Sequence, residues 1–273
     1  MLSGIVLMWF ILTALSVAFV AIDIRSSPES PVLKWGFVLV VLYTGPFGAF
    51  LYVLGCREPL PGLHARYVEA RWRQVLGSTM HCVAGDGVGI IAGAVIGSML
   101  RLSMPSQIAL EYVLGFGFGW TIFQALFMRD AAGGSFRRAL SMTLIPEFLS
   151  MNALMAGMVP VMVLAMVHVP GSEDPQSATF WFVMSMALLI GSITAYPMNW
   201  WLVAHHLKHG MMTVRRPEPE RSVSSHAKVE MEPEMGNVQR GKPSTGAIVK
   251  VAILSIAMFG VGVFASVVFL RGQ

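Results

Sequence analysis

Charge is the scarcest commodity in this chain: only 12% of its 273 residues are Asp, Glu, Lys or Arg, about half of what an ordinary soluble domain carries. That shortage excludes a water-soluble globular protein with a solvated surface. Cysteine is nearly absent as well, with only Cys56 and Cys82, which excludes a disulfide framework and a four-thiolate metal cluster. No P-loop, nucleophile elbow or dinucleotide fingerprint is found, and the clustered histidine boxes of membrane di-iron enzymes are absent, the run HHLKH at 205–209 lying past the end of an apolar stretch. The sequence also lacks an internal repeat.

What is present is apolar length. Hydrophobic residues make up 55%, and seven stretches reach the roughly 20 residues that a spanning helix needs: about 2–22, 33–55, 78–100, 108–128, 141–168, 179–204 and 248–270. The first has no basic region before it and no Ala-x-Ala site, so it reads as a retained helix rather than a secretion signal. The expected fold is all-α, a polytopic membrane helix bundle of about seven transmembrane helices.

The organisation predicted is two N-terminal transmembrane helices in 1–60, a four-helix membrane core with an interfacial helix at its start in 61–212, a disordered cytoplasmic linker in 213–247 and a last spanning helix in 248–273. In LHARYVEARWRQVLG, Val68, Trp72, Val75 and Leu76 share a face that Arg66, Glu69 and Arg73 avoid, as in a headgroup-level helix. The linker is polar and rich in Pro, Glu, Ser and Arg, without aliphatic periodicity. With seven spans, fifteen of nineteen basic residues fall on one side, leaving Arg25, Lys34, Arg101 and Arg271 on the other. The positive-inside rule then makes the N-terminus cytoplasmic and the C-terminus external. It also accounts for the net charge of +4 without a nucleic-acid partner. Both cysteines lie toward the cytoplasmic side, where free thiols are expected.

Ionisable groups inside such spans are expensive and mark function by default. In the third span Gly85, Gly89, Gly93 and Gly97 recur every four residues, a small-residue ridge that lets another helix approach closely. His81, Cys82 and Asp86 offer nitrogen, sulfur and oxygen donors beside it. Asp86 sits roughly 15 Å inside the cytoplasmic boundary and must be protonated, paired or metal-bound. Glu111 opens the fourth span near the outer boundary. Glu147, after Pro146, lies at a depth similar to that of Asp86, about 13 Å from Arg138.

From Glu147 outward, Met151, Met155, Met158, Met162 and Met166 advance by four, three, four and four residues, which aligns five thioethers on one helix face. Thioethers and thiolates suit Cu(I), carboxylates suit protons or harder ions, and methionine is also an ordinary core filler. In the sixth span Pro197 interrupts the helix between Tyr196 and Asn199, Trp200 and Trp201 form an interfacial belt, and His205, His206, His209, Met211 and Met212 follow.

The runs HCVAGDG, LEYVLGFGFGWTIFQALFM, IPEFLSMN and above all YPMNWWLV followed by KHGM resemble the bacterial and archaeal membrane proteins grouped as domain of unknown function 4396, over roughly Arg71 to Met212. The resemblance implies a multi-helix membrane domain with a His-Cys motif, patterned His-Cys, two residues, Gly-Cys. His81, Cys82 and Gly85 match; Asp86 stands in place of the second Cys, which tilts the site from pure thiolate toward mixed or proton-linked chemistry.

The leading expectation is an inner-membrane permease or metal-handling protein for a transition metal ion, copper first, with proton coupling through the carboxylates. The metal set would be His81, Cys82, Asp86, Glu147, Met151, Met155 and Met158, and the proton or ion pathway Glu111, Tyr196 and Asn199. An alternative is a non-enzymatic accessory or assembly factor that grips a partner membrane protein through the glycine ridges. The third is an intramembrane metal- or haem-dependent enzyme. The expected location is the bacterial inner membrane, with multiple passes.

Overall fold

The computed structural model describes residues 2–27, 29, 31–57, 64–129, 132–208, 210 and 243–271. These are helical and turn segments throughout, as expected: α1 (Leu2–Asp23), α2 (Pro31–Thr44), α3 (Pro46–Gly55), α4 (His64–Val68), α5 (Arg71–Met99), α6 (Met104–Phe118), a π-helical turn (Gly119–Gln124), α7 (Ala125–Phe127), α8 (Phe136–His168), α9 (Ala178–Ala204) and α10 (Thr245–Arg271). Among the described residues, α1, α5, the α6–α7 unit, α8, α9 and α10 are each long and apolar enough to cross a membrane. The chain is therefore a multi-pass membrane protein. Most of the predicted linker lies outside the described residues.

The second predicted span does not cross. The run 33–55 is split at Gly45, which adopts φ +58°, a conformation that favours glycine. Pro46 then starts α3, where its missing N–H does no harm. The two halves fold back on each other: Phe37 meets Tyr52 with ring centroids 5.6 Å apart, and a Cβ at Gly48 would lie 2.9 Å from the Cα of Val41. Both open ends of this hairpin reach the C-terminal end of α1. Lys34 donates to the Arg25 carbonyl, Tyr52 donates to Asp23 at 2.8 Å, and Arg57 pairs with Asp23 at 3.1 Å. A re-entrant pair is tolerated at depth where protein covers the backbone of its turn: Tyr43, Thr44 and Gly45 are buried, Trp9 lies beside Gly45, and Ser185 donates to the Tyr43 carbonyl.

This hairpin changes how the basic residues divide between the two faces. The start of α5 joins the same face, since Tyr67 and Arg73 both donate to the Leu54 carbonyl. With six crossings, seventeen of nineteen basic residues collect on that face, and only Arg101 and Arg271 remain opposite. By the positive-inside rule a six-crossing layout predicts an external N-terminus, and the seven-span layout a cytoplasmic one. A membrane-impermeant maleimide applied to sealed, right-side-out vesicles should label Ser3→Cys and spare Ser26→Cys. Labelling of Ser26→Cys alone would restore the seven-span topology.

The glycine ridge of α5 is consumed inside the chain. A Cβ at Gly89 would strike the Leu114 carbonyl and lie 2.7 Å from the Cα of Gly115, and one at Gly93 would lie 2.7 Å from the Cα of Glu111. The ridge thus seats α6, and it is not free to grip a partner. The interfacial helix is shorter than expected: α4 stops at Val68, and α5 restarts at Arg71. The last helix is more than an appendage. It packs along α8, where Gly262 abuts the Ala156 carbonyl and Ser255 accepts from Asn152 at 3.1 Å.

Candidate functional site

The half of the bundle where α5 starts and α9 ends holds a polar centre built from α5, the π turn, α8, α9 and the turn after α9. Cys82 and Asp86 come from α5, one helical turn apart on one face. Glu147 comes from α8 directly after Pro146, which has no N–H to give to the helix ladder. Asn199 follows Pro197 in α9. All four side chains are buried, with Asp86 and Glu147 at 0% exposure.

Cys82 Sγ donates to Glu147 Oε2 at 3.1 Å and accepts from Gln124 Nε2 at 2.9 Å. Asn199 Nδ2 donates to Ser150 Oγ at 3.0 Å. The cation at the centre is Lys208. Its ammonium donates to Asn199 Oδ1 at 2.9 Å and to Cys82 Sγ, and lies 3.7 Å from Glu147 Oε2. Lys208 reaches these groups because the chain turns back after α9 at His206, whose φ is +56°. Sequence reasoning placed Lys208 among the cytoplasmic positive charges; only its position in the KHGM run set it apart.

Opposite Lys208 the two carboxyl groups meet. A Cβ added to Gly119 would collide with Asp86 Oδ1 and lie 2.8 Å from Glu147 Oε1, so both oxygens border the space that Gly119 leaves open. Neither oxygen of Asp86 has a hydrogen-bond donor, and neither has Glu147 Oε1. Two ionised carboxylates with three unpaired acceptors and one ammonium would leave a buried net charge of −1, which is costly in a dry interior. One proton, or one further cation, between the carboxyls would balance the charge and supply the missing partner.

The π turn makes the site possible. Its wider winding, of the kind often found at functional sites, directs Gln124 to Cys82 and the Phe123 carbonyl to His81 Nε2 at 3.2 Å. Gly119 at its start is the one position where a side chain would fill the carboxyl pocket. Gln124 did not stand out in the sequence; Gly119 did only as a small residue that continues the face of Glu111 and Gly115 in steps of four, within a Gly-x-Gly-x-Gly run at 115–119 that marks a backbone built for close approach.

Of the predicted site residues, Cys82, Asp86, Glu147 and Asn199 come together. Met151 lies next to them, since its methyl and the Asp86 carbonyl oxygen both border Gly115. His81 is turned aside: its ring lies between Phe123 and Phe127, with centroids at 5.5 and 5.0 Å, and its Nδ1 has no partner. Tyr196 donates to the Trp72 carbonyl at 3.3 Å, at the cytoplasmic edge. Met155, Met158 and Met162 are buried in the core, and Glu111 lies beyond them in the outer half. Among the described residues no three His, Cys, Asp or Glu side chains are arranged to hold a metal ion. Both cysteines are free and buried. In the cytoplasmic cluster His205 folds onto Trp201, at 4.5 Å between ring centroids, while His209, Met211 and Met212 lie outside the described residues.

Residues 71–208, from the first residue of α5 to the lysine of the site, match the family described as Domain of unknown function (DUF4396). The chain belongs to this family. The match begins after the α1–α3 segment and stops before α10, so the DUF4396 unit contains every residue of the polar centre. No curated protein matches the chain, and no solved structure does.

Proposed function

We propose that this DUF4396 protein is a proton-coupled permease whose cargo is a transition-metal cation, copper first. The reading rests on one observation: the fully buried Asp86–Glu147 pair, which has three acceptor oxygens without donors and a lysine on its other side. In the resting arrangement a proton shared by the carboxyls and the Lys208 ammonium neutralise the site. An arriving cation takes the place of that proton between the carboxyls, and its charge loosens Lys208 from Glu147. The proton leaves toward the face where α9 ends. Exchange of one positive charge for another keeps the buried site neutral at each stage, which avoids the penalty for an unpaired charge.

The choice of a soft cation is supported by sulfur. Cys82 is hydrogen-bonded to Glu147, Met151 adjoins Asp86, and the buried methionines continue from there toward the outer face.

The test is the purified full chain in liposomes that contain a pH-sensitive dye, with a pH gradient imposed. Zn(II), whose second charge a one-for-one exchange does not balance, should leave the gradient intact, whereas Cu(I) should dissipate it in wild type. Asp86→Asn and Glu147→Gln should slow this at least about tenfold. A gradient indifferent to Cu(I) would overturn the reading.

A further inference from the structure

In the outer half of the bundle, the second turn of α6 faces the last turns of α8 across a crevice of about 10 Å³, room for about one water-sized guest. Met104, Gln107, Glu111, Met162 and Met166 line it. Glu111 is 0% exposed. Its Oε1 accepts from Gln107 Nε2 at 3.0 Å, and its Oε2 has no partner. Met104 and Met166 are half-buried and Met162 is buried, so three thioether residues border the crevice beside the buried Glu111. This cluster is separate from the Asp86–Glu147 centre and shares no residue with it.

We infer that Glu111, with the thioethers of Met104, Met162 and Met166, forms an outer loading site for a soft monovalent metal cation such as Cu(I) or Ag(I). Three arguments converge. First, thioethers are poor ligands for sodium, potassium, magnesium or calcium and good ones for Cu(I). Second, Glu111 is the one charged residue among those that line the crevice; a monovalent ion neutralises it, whereas a divalent ion leaves a buried surplus of +1. Third, Met162 is the outermost buried member of the row Met151, Met155, Met158, Met162, whose inner end adjoins Asp86. A cation released from Glu111 meets sulfur at each turn of α8. The inference deepens the permease reading and names where and in what valence the cargo is first captured.

Binding separates the two. Ag(I), a redox-inert stand-in for Cu(I), is titrated against a chromophoric chelator into the full chain in nanodiscs, for wild type, Met162→Leu/Met166→Leu, Glu111→Gln and Asp86→Asn, each checked for monodispersity. Leucine keeps the packing volume, and glutamine keeps a partner for Gln107. The double methionine variant should lose one Ag(I) equivalent. Glu111→Gln should bind that equivalent at least about tenfold more weakly, and Asp86→Asn should retain it. Millimolar sodium should not compete. Equal binding by wild type and the methionine variant, or loss of the same equivalent in Asp86→Asn alone, would overturn the loading site. Retained silver binding without proton movement in liposomes would leave this site standing and remove the permease reading.

Discussion

Lys208→Met should be the most damaging single substitution in the chain. It removes the ammonium that faces Glu147 at 3.7 Å and donates to Asn199 and Cys82, yet it leaves both acidic side chains buried. Breaking one partner out of a buried ion pair costs about 3–5 kcal/mol, because the remaining charge has neither water nor a counter-ion. A well-packed neutral replacement for the whole pair costs far less. Lys208→Met with Glu147→Gln should therefore recover most of the lost stability, and the double-mutant cycle should show a coupling of a few kcal/mol. Neither variant should exchange protons for cations. The measurement is thermal unfolding of the four proteins in one detergent. If Lys208→Met behaves like a surface change, within about 0.5 kcal/mol of wild type, the lysine does not hold the centre together and the charge balance argued for the carboxyl pair fails.

How well the sequence could anticipate this centre depended on which constraint wrote each part of it. The spans were legible because lipid demands long apolar runs. The matching depth of Asp86 and Glu147 was legible because both are carboxyls with no lipid-compatible excuse; their meeting was not, since depth along two helices does not fix which faces turn toward each other. The ridge Gly85–Gly89–Gly93–Gly97 announced a close helix contact, and α6 makes it. Lys208 was hidden because a lysine just past the end of a helix looks the same whether it points to the cytoplasm or folds inward; only the left-handed turn at His206 tells them apart. The hairpin of α2 and α3 was hidden for a related reason. Hydropathy runs unbroken through 33–55, and the Gly45–Pro46 step is the one local sign that the chain turns back. His81 shows the opposite failure. It looked like a ligand by residue type, but the π turn supplies a backbone carbonyl for its Nε2 and two phenylalanine rings flank it away from the carboxyls, while its Nδ1 has no partner.

The re-entrant hairpin bears on the chemistry through geometry. Gly36 of α2 approaches the Cα and Nδ1 of His81, and Tyr43 lies against Gly87, so the hairpin covers the face of α5 that turns away from the carboxyls. Cys82 and Asp86 are thereby sealed from lipid on that side, and α6, α8 and α9 close the rest. A dry enclosure strengthens every electrostatic term inside it, which is why one proton or one cation at the pair matters so much.

Gly119→Ala is the narrowest probe of that pair, since it adds one methyl group and no charge. The methyl would occupy the place of Asp86 Oδ1 and lie 2.8 Å from Glu147 Oε1, so the carboxyls must separate to admit it. Displacing a reacting group by about 1 Å can lower a rate by about two orders of magnitude, and the cation-driven proton flux should fall by that much. Overpacking costs about 1–3 kcal/mol, so the protein should still fold. Gly117→Ala is the matched control. It lies two residues earlier in the same helix, nothing stands within 4 Å of its added methyl, and an alanine there should leave flux intact and stabilise the helix by about 0.5–1 kcal/mol. If both alanines are equally active, the space beside Gly119 is not where proton and cargo exchange, and the pairing of Asp86 with Glu147 is structural.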